Sequence, residues 1–161
     1  KTKIESISGS VEIKTERNVG TKFIIRLPLT LAIIQALLIN IADEIYAIPL
    51  SSISEISTIE KEDIRKVQNQ EVVLFRGKTL PIVRLNRILD IPDKEEETEI
   101  TIVIVRKGEK EAGLIIDSLI GQQEIVIKSL GKFLSDVPYL SGATILGNGK
   151  ISLILDINSL I

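Results

Sequence analysis

Short apolar segments recur along the chain at intervals of roughly 8–12 residues, separated by turns that carry glycine, asparagine or charged side chains. Segments of that length and spacing close into an all-β barrel or a sandwich. Strands are expected at 45–48, 72–75, 80–83, 100–105, 112–116, 124–127, 142–146 and 151–155. Turns are expected at Ala42-Asp43-Glu44, Arg76-Gly77-Lys78 and Gly147-Asn148-Gly149. The segment 31–41 is apolar at nearly every position. Its Ala, Leu and Gln favour a helix, and its second half is assigned to strand. Pro49 ends the strand at 45–48, and Ser51-Ser52 can cap a short helical turn running to Glu55. Residues 60–65 read as helix or loop, 84–89 as one or two helical turns, and Asp156 as the cap of a closing turn at 157–160. The acidic stretch 92–99 reads as a solvated loop that divides the strands into two similar halves, each long enough for a five-stranded barrel.

Residues 1–29 have a different character. Positions 1–8 read as the end of a helix, stopped at Ser8-Gly9. Val11-Glu12-Ile13-Lys14 and Lys22-Phe23-Ile24-Ile25-Arg26-Leu27 alternate around a polar turn, which predicts an antiparallel hairpin ended by Pro28. One hairpin buries too little for independent stability, so this piece is expected to lean on sequence outside the chain.

The composition removes several classes of function. Across 161 residues, 20 basic and 22 acidic side chains give a net charge of -2. With no broad basic field, nucleic acid is not the expected partner. No run of about 18 apolar residues exists, so membrane insertion by a helix is not expected. The amino terminus lacks the apolar core of a signal peptide. The absence of Cys excludes disulfides, zinc–thiolate sites and a thiol nucleophile. The absence of His removes the commonest general base and metal ligand, and with it a Ser/His/Asp triad. A cysteine-free composition fits the cytoplasm. Met is missing even at position 1, as expected of a piece cut from a longer protein. Heavy use of Ile, Lys and Glu without Cys or Met points to a thermophile.

No catalytic constellation assembles from what remains. Asp117 follows a strand and reads as a turn or ion-pair residue. Gly147-Asn148-Gly149 superficially resembles a phosphate loop, but no helix with a Lys follows it and a hairpin turn accounts for it. Gly20-Thr21 opens a strand after a polar loop. The residue-level reading is an all-β, non-catalytic module that holds partners, with no metal or cofactor.

Val72-Val73-Leu74-Phe75 is apolar at every position, where an antiparallel surface strand alternates. Either the fold covers both faces, or one face is a docking surface. If Val73 and Phe75 face the barrel interior, Val72 and Leu74 point outward. Val72, Leu74, Leu80 and Ile82 are the candidate partner-binding residues.

Gly20-Thr21-Lys22-Phe23 with Leu27-Pro28-Leu29-Thr30 resembles the last glycine box and closing strand of a GHKL-type histidine kinase ATP-binding domain. Leu31-Ala32-Ile33-Ile34-Gln35-Ala36-Leu37-Leu38 resembles the passage from catalytic to regulatory domain in the CheA family of chemotaxis kinases. Arg76-Gly77 with Leu80-Pro81-Ile82-Val83 and Leu85 resembles a motif shared by CheA regulatory domains and the adaptor CheW. So do Gly113-Leu114-Ile115-Ile116-Asp117 and Ser141-Gly142-Ala143-Thr144-Ile145-Leu146-Gly147. Gly121-Gln122-Gln123-Glu124-Ile125-Val126-Ile127-Lys128-Ser129-Leu130-Gly131 is closer to CheA than to CheW.

The resemblance implies two SH3-like five-stranded β-barrels side by side at 30–161, divided near 92–99. Residues 1–29 would be a β-hairpin remnant of the α/β GHKL kinase domain. It implies a domain that binds the adaptor CheW, chemoreceptor cytoplasmic tips and the remaining kinase domains of its own chain, and so controls autophosphorylation. Gly20 and Thr21 would form an incomplete nucleotide edge. The family's phosphorylated His and asparagine box are absent, so ATP belongs to the complete kinase and this piece is expected to be inactive alone. A free-standing CheW-like adaptor is the alternative, and it would lack the kinase-like lead of residues 9–30.

Overall fold

The computed structural model describes residues 10–17, 20–26, 33–92, 98–130 and 137–161. Expectations for 1–8, Pro28 and 93–97 lie outside the described residues. The chain forms two compact units, Lys1–Ile33 and Ile34–Ile161.

In the first unit, β1 (Ser10–Glu16) pairs antiparallel with β2 (Gly20–Arg26). This is the hairpin read from the alternation. Residues directly opposite share a face, so the pairs Val11↔Ile25 and Ile13↔Phe23 line one side. The other side is charged: Glu12 carries Arg26 Nη1 at 3.1 Å and Lys14 Nζ at 3.3 Å.

The second unit contains β3 (Ile33–Ile41, all but its first residue), β4 (Glu44–Pro49), β5 (Ile53–Glu60), β6 (Arg65–Val67), β7 (Gln70–Phe75) and β8 (Lys78–Arg84). A single-turn helix α1 (Leu85–Ile88) follows. The remainder is β9 (Glu99–Lys107), β10 (Lys110–Ile116), β11 (Ser118–Val126), β12 (Leu140–Ile145), β13 (Ile151–Leu155) and the closing turn α2 (Ile157–Leu160). They form two SH3-like barrels. One sheet has the order β11-β3-β4-β13-β12, the other β5-β9-β10-β8-β7-β6. Beyond β11, Lys128 exchanges main-chain hydrogen bonds with Ala143 of β12 at 2.8 and 2.9 Å, joining the two ends of the first sheet.

Three apolar clusters explain the sequence pattern. Ala36, Leu38, Ala47, Ile125, Leu146 and Ile154 fill the five-stranded barrel. Ile59, Val73, Leu80, Ile82, Ile100, Ile102 and Ile104 fill the other. Between them lies a third cluster, to which the five-stranded sheet gives Leu37, Ile39, Tyr46 and Leu155, and the six-stranded sheet Val103, Val105 and Leu114. Even positions of β3 therefore face its own barrel interior and odd positions face the neighbouring barrel. β9 is divided the same way. A strand buried on both sides has no reason to alternate, which is why 31–41 imitates a helix. From Ile33 onward it is strand.

Several expectations are corrected. The helical turn after Pro49 covers only Leu50–Ser52, and β5 occupies the next eight positions against β9. Residues 60–65 hold one 3-10 turn, Lys61–Asp63, and then enter β6, an unanticipated strand that makes the second barrel six-stranded. β11 starts at Ser118 rather than 124. The division near 92–99 fails, because β8 and β9 flank it and both belong to the six-stranded sheet. The five-stranded barrel is instead assembled from both ends of the unit, by parallel pairing of β13 with β4 at Leu153↔Tyr46 and Ile154↔Ala47.

Candidate docking surface

The β7–β8 hairpin turns through Arg76 (φ 48°) and Gly77 (φ 78°), both left-handed, as a two-residue type I′ connection requires. Gly77 adopts this at no steric cost, and Arg76 is held there by its side chain. Its Nη2 donates to Glu55 Oε1 at 2.6 Å, and its guanidinium lies 5.3 Å from the Phe75 ring centroid.

A two-residue loop fixes the register: Leu74 faces Thr79, Val73 faces Leu80 and Val72 faces Pro81. Val73 is 2% exposed and Leu80 5%, while Leu74 is 74% exposed. Val72 and Pro81 are half-buried on Leu74's side. The candidates therefore separate. Val72 and Leu74 share the outer face. Leu80 and Ile82 are corrected to core residues of the six-stranded barrel, because direct opposition to Val73 and the period of two turn both inward. Phe75 packs against that same interior cluster.

Two outer-face residues escaped the sequence reading. β6 pairs with β7 through Arg65↔Val72 and Val67↔Gln70, which puts Val67, 54% exposed, on the side of Leu74 and Pro81. Val67 went unseen because three polar-flanked residues carry no periodicity. Pro81 was legible by counting across the turn.

Asp117, Asp156 and the Gly147-Asn148-Gly149 turn have structural roles. Asp117 Oδ2 accepts from Ala42 N at 2.7 Å, and Asp117 N donates to Asn40 O at 3.1 Å. Asp156 caps α2 by accepting from Asn158 N at 3.0 Å. Asn148 Oδ1 accepts from Lys150 N at 3.0 Å, and Gly149 (φ 80°) closes a hairpin turn. Gly20 and Thr21 lie on the first unit's hairpin, opposite Glu16 and Thr15, and both are exposed. Among the described residues no cluster of three His, Cys, Asp or Glu is placed to hold a metal, and no helix is long and apolar enough to cross a membrane.

With this geometry in view, the sequence profile of the CheW-like domain family matches residues 35–161. The chain belongs to the CheW-like domain family. It is 47% identical over its whole length to the chemotaxis protein CheA of Bacillus subtilis, and 42% identical to that of Treponema pallidum. It is 43% identical over 99% of its length to the sensor histidine kinase CheAY of Helicobacter pylori. It spans only 24%, 20% and 20% of those three proteins. The crystal structure of the scaffolding protein TtCheW from Thermoanaerobacter tengcongensis shares the fold, with a TM-score of 0.68 and 20% identity. That likeness covers 77% of this chain and 89% of TtCheW. The CheA relatives, in contrast, match through the first unit as well as the CheW-like domain.

Proposed function

We propose that this chain is the regulatory part of a chemotaxis histidine kinase, which couples the kinase to a CheW adaptor and to chemoreceptor tips in the cytoplasm. The CheA relatives that match through residues 1–33 support this over a free-standing adaptor. The observation that carries the docking role is Leu74, an aliphatic side chain held 74% exposed on a paired strand, with Val72, Pro81 and, farther along, Val67 on the same face. Covering Leu74 recovers part of the roughly 1.5–3 kcal/mol lost by leaving it in water, less the entropy cost of association. The outer face of β6–β8 is thus the CheW docking surface. Gly20 and Thr21 are one edge of a nucleotide site whose other parts lie outside this sequence, so the chain alone neither holds ATP nor transfers phosphate.

The test is a pair of variants measured by calorimetry against purified CheW. Leu74→Glu keeps the melting temperature and loses at least tenfold in CheW affinity. Leu80→Ala, two strand positions from the loop on the inner side, destabilises the fold by about 2–5 kcal/mol. Normal CheW binding by folded Leu74→Glu rejects the surface, and micromolar ATP affinity, about -8 kcal/mol, rejects the nucleotide reading.

A further inference from the structure

The loop between β12 and β13 carries covalent chemistry of its own. The chain has six asparagines, and the residues that follow them are Val19, Ile41, Gln70, Arg87, Gly149 and Ser159. An asparagine cyclises when the main-chain nitrogen of the next residue reaches its side-chain carbon. A side chain on that next residue stands in the way. Val19 and Ile41 are branched at Cβ, Gln70 and Arg87 are long, and Asn148 alone is followed by glycine.

The fold presents this pair to solvent. Residues 147–149 make a three-residue hairpin loop in which Gly149 N donates to Leu146 O at 2.8 Å and Leu146 N donates to Lys150 O at 2.8 Å. Gly149 takes φ 80° there, and both Asn148 and Gly149 are exposed. Among the described residues, no atom beyond Gly149's chain neighbours lies within 4 Å of where its Cβ would stand. Water therefore reaches the nitrogen and the side-chain amide. Lys150 N–H donates to Asn148 Oδ1 at 3.0 Å. Oδ1 is the oxygen that takes up negative charge when Cγ is attacked, so a donor already faces the developing oxyanion. Against this stands the Gly149–Leu146 hydrogen bond, which the attacking nitrogen must leave. At an exposed loop that step needs only local opening.

We propose that Asn148 is a site of spontaneous covalent modification, deamidated through a succinimide that Gly149 closes. The Gly149 nitrogen gives its proton to hydroxide and bonds to Asn148 Cγ. The Cγ–Nδ2 bond breaks, and Nδ2 leaves as ammonia with a proton from water. A second water then opens the imide. Cleavage between Cγ and nitrogen leaves aspartate, whereas cleavage at the main-chain carbonyl of residue 148 leaves isoaspartate, with the chain now running through Cβ and Cγ. Nothing is oxidised or reduced. Either product places a carboxylate on the loop. Isoaspartate also lengthens the main chain by one carbon, so Gly149 N no longer meets Leu146 O in the same ring. The loosening falls beside Ile145↔Ile151, the first strand pair beyond the loop. The inference rests on no partner and is independent of the CheW surface.

The purified 161-residue chain is held at mildly alkaline pH and sampled over weeks. Its proteolytic peptides are read by mass spectrometry, and isoaspartate is counted by enzymatic methylation of its free α-carboxyl. Asn158, exposed in α2 and followed by Ser159, is the internal comparison. Asn148 converts first, at least tenfold faster than Asn158, with isoaspartate exceeding aspartate and a rate that rises with pH. Asn148→Gln, whose longer side chain needs a larger ring, stops acid formation at this position. The isoaspartate-bearing chain exchanges the Leu146 and Gly149 amides faster than fresh protein. Earlier conversion of another asparagine overturns the proposal. So does aspartate without isoaspartate, which marks direct hydrolysis, a rate indifferent to pH, or equal acid formation in Asn148→Gln. Unchanged exchange at Leu146 and Gly149 overturns the loosening of the loop. The wild-type time course decides even if Asn148→Gln fails to fold.

Discussion

The Asp117 carboxylate accepts a hydrogen bond from the main-chain N–H of Ala42 at 2.7 Å. Asp117 sits where the chain leaves β10 of the six-stranded sheet and enters β11 of the five-stranded one. Ala42 is in the β3–β4 turn at φ 53°, a conformation that a residue with a Cβ rarely adopts. One carboxylate thus fixes a strained turn in one sheet from the exit of the other. Asp117→Ala is expected to lower stability by about 1–2 kcal/mol, read as a drop of a few degrees in melting temperature. An unchanged melting temperature would show that the turn holds itself.

Gly142 sits beside the bridge that closes the five-stranded barrel. A Cβ there would lie 2.9 Å from Ile127 Cγ2 and 3.1 Å from Lys128 O. The second contact is with main chain that already bonds Ala143, so it cannot swing aside. Gly142→Ala is expected to cost about 1–3 kcal/mol, with faster amide exchange at Lys128 and Ala143. Wild-type exchange at those two amides would contradict this.

Ser152 is fully buried on β13, opposite Thr144, and its hydroxyl has no hydrogen-bond partner among the described residues. A buried polar group of this kind is destabilising by about 1–3 kcal/mol. Ser152→Ala removes it with little loss of volume, so a gain of about 1 kcal/mol is expected in chemical denaturation. A loss would mean that the hydroxyl makes a bond that the fold uses.

Burial, and secondarily the Glu44 carboxylate, raises the Tyr46 phenol above its ordinary value of 10.0. A raised folded-state value means that the associated stability is complete below that ordinary value and declines as pH rises through the folded one. Denaturation midpoints taken upward from about pH 9 should fall in the wild type and flatten in Tyr46→Phe. Parallel curves would place the alkaline loss elsewhere.

How much of this was legible in the sequence depends on the range of the interaction. The hairpins β1–β2, β7–β8 and β12–β13 are local, and their turn residues and alternation announce them. Counting across Arg76-Gly77 also assigns Leu80 to the face of Val73, so its inward position was available from the residues alone. β3 was obscured because packing on both sides erases the period of two, whereas β9, packed the same way, was still legible as a strand at 100–105. The parallel contact of Tyr46 with Leu153 joins positions with no local signal, and nothing in either strand names its partner. The two barrels were therefore anticipated while their division along the chain was misplaced. At the docking surface the exposed Leu74 was found by its broken alternation, and Val67 was missed because β6 is too short to show one.

The interleaving of the two sheets sets an order for biosynthesis. The strands from β5 to β10 are consecutive, so the six-stranded barrel closes within one stretch of emerging chain. The five-stranded barrel cannot: β4 must wait for β13, which is made more than a hundred residues later. Until then the odd positions of β3 and their counterparts on β9 and β10 remain in water, awaiting a sheet that the ribosome has yet to supply. Non-local pairing of this kind also slows folding of the finished chain. The barrel completed last is thus the one that shields the first, and a chain truncated before Ile151 would carry that uncovered apolar face for its lifetime.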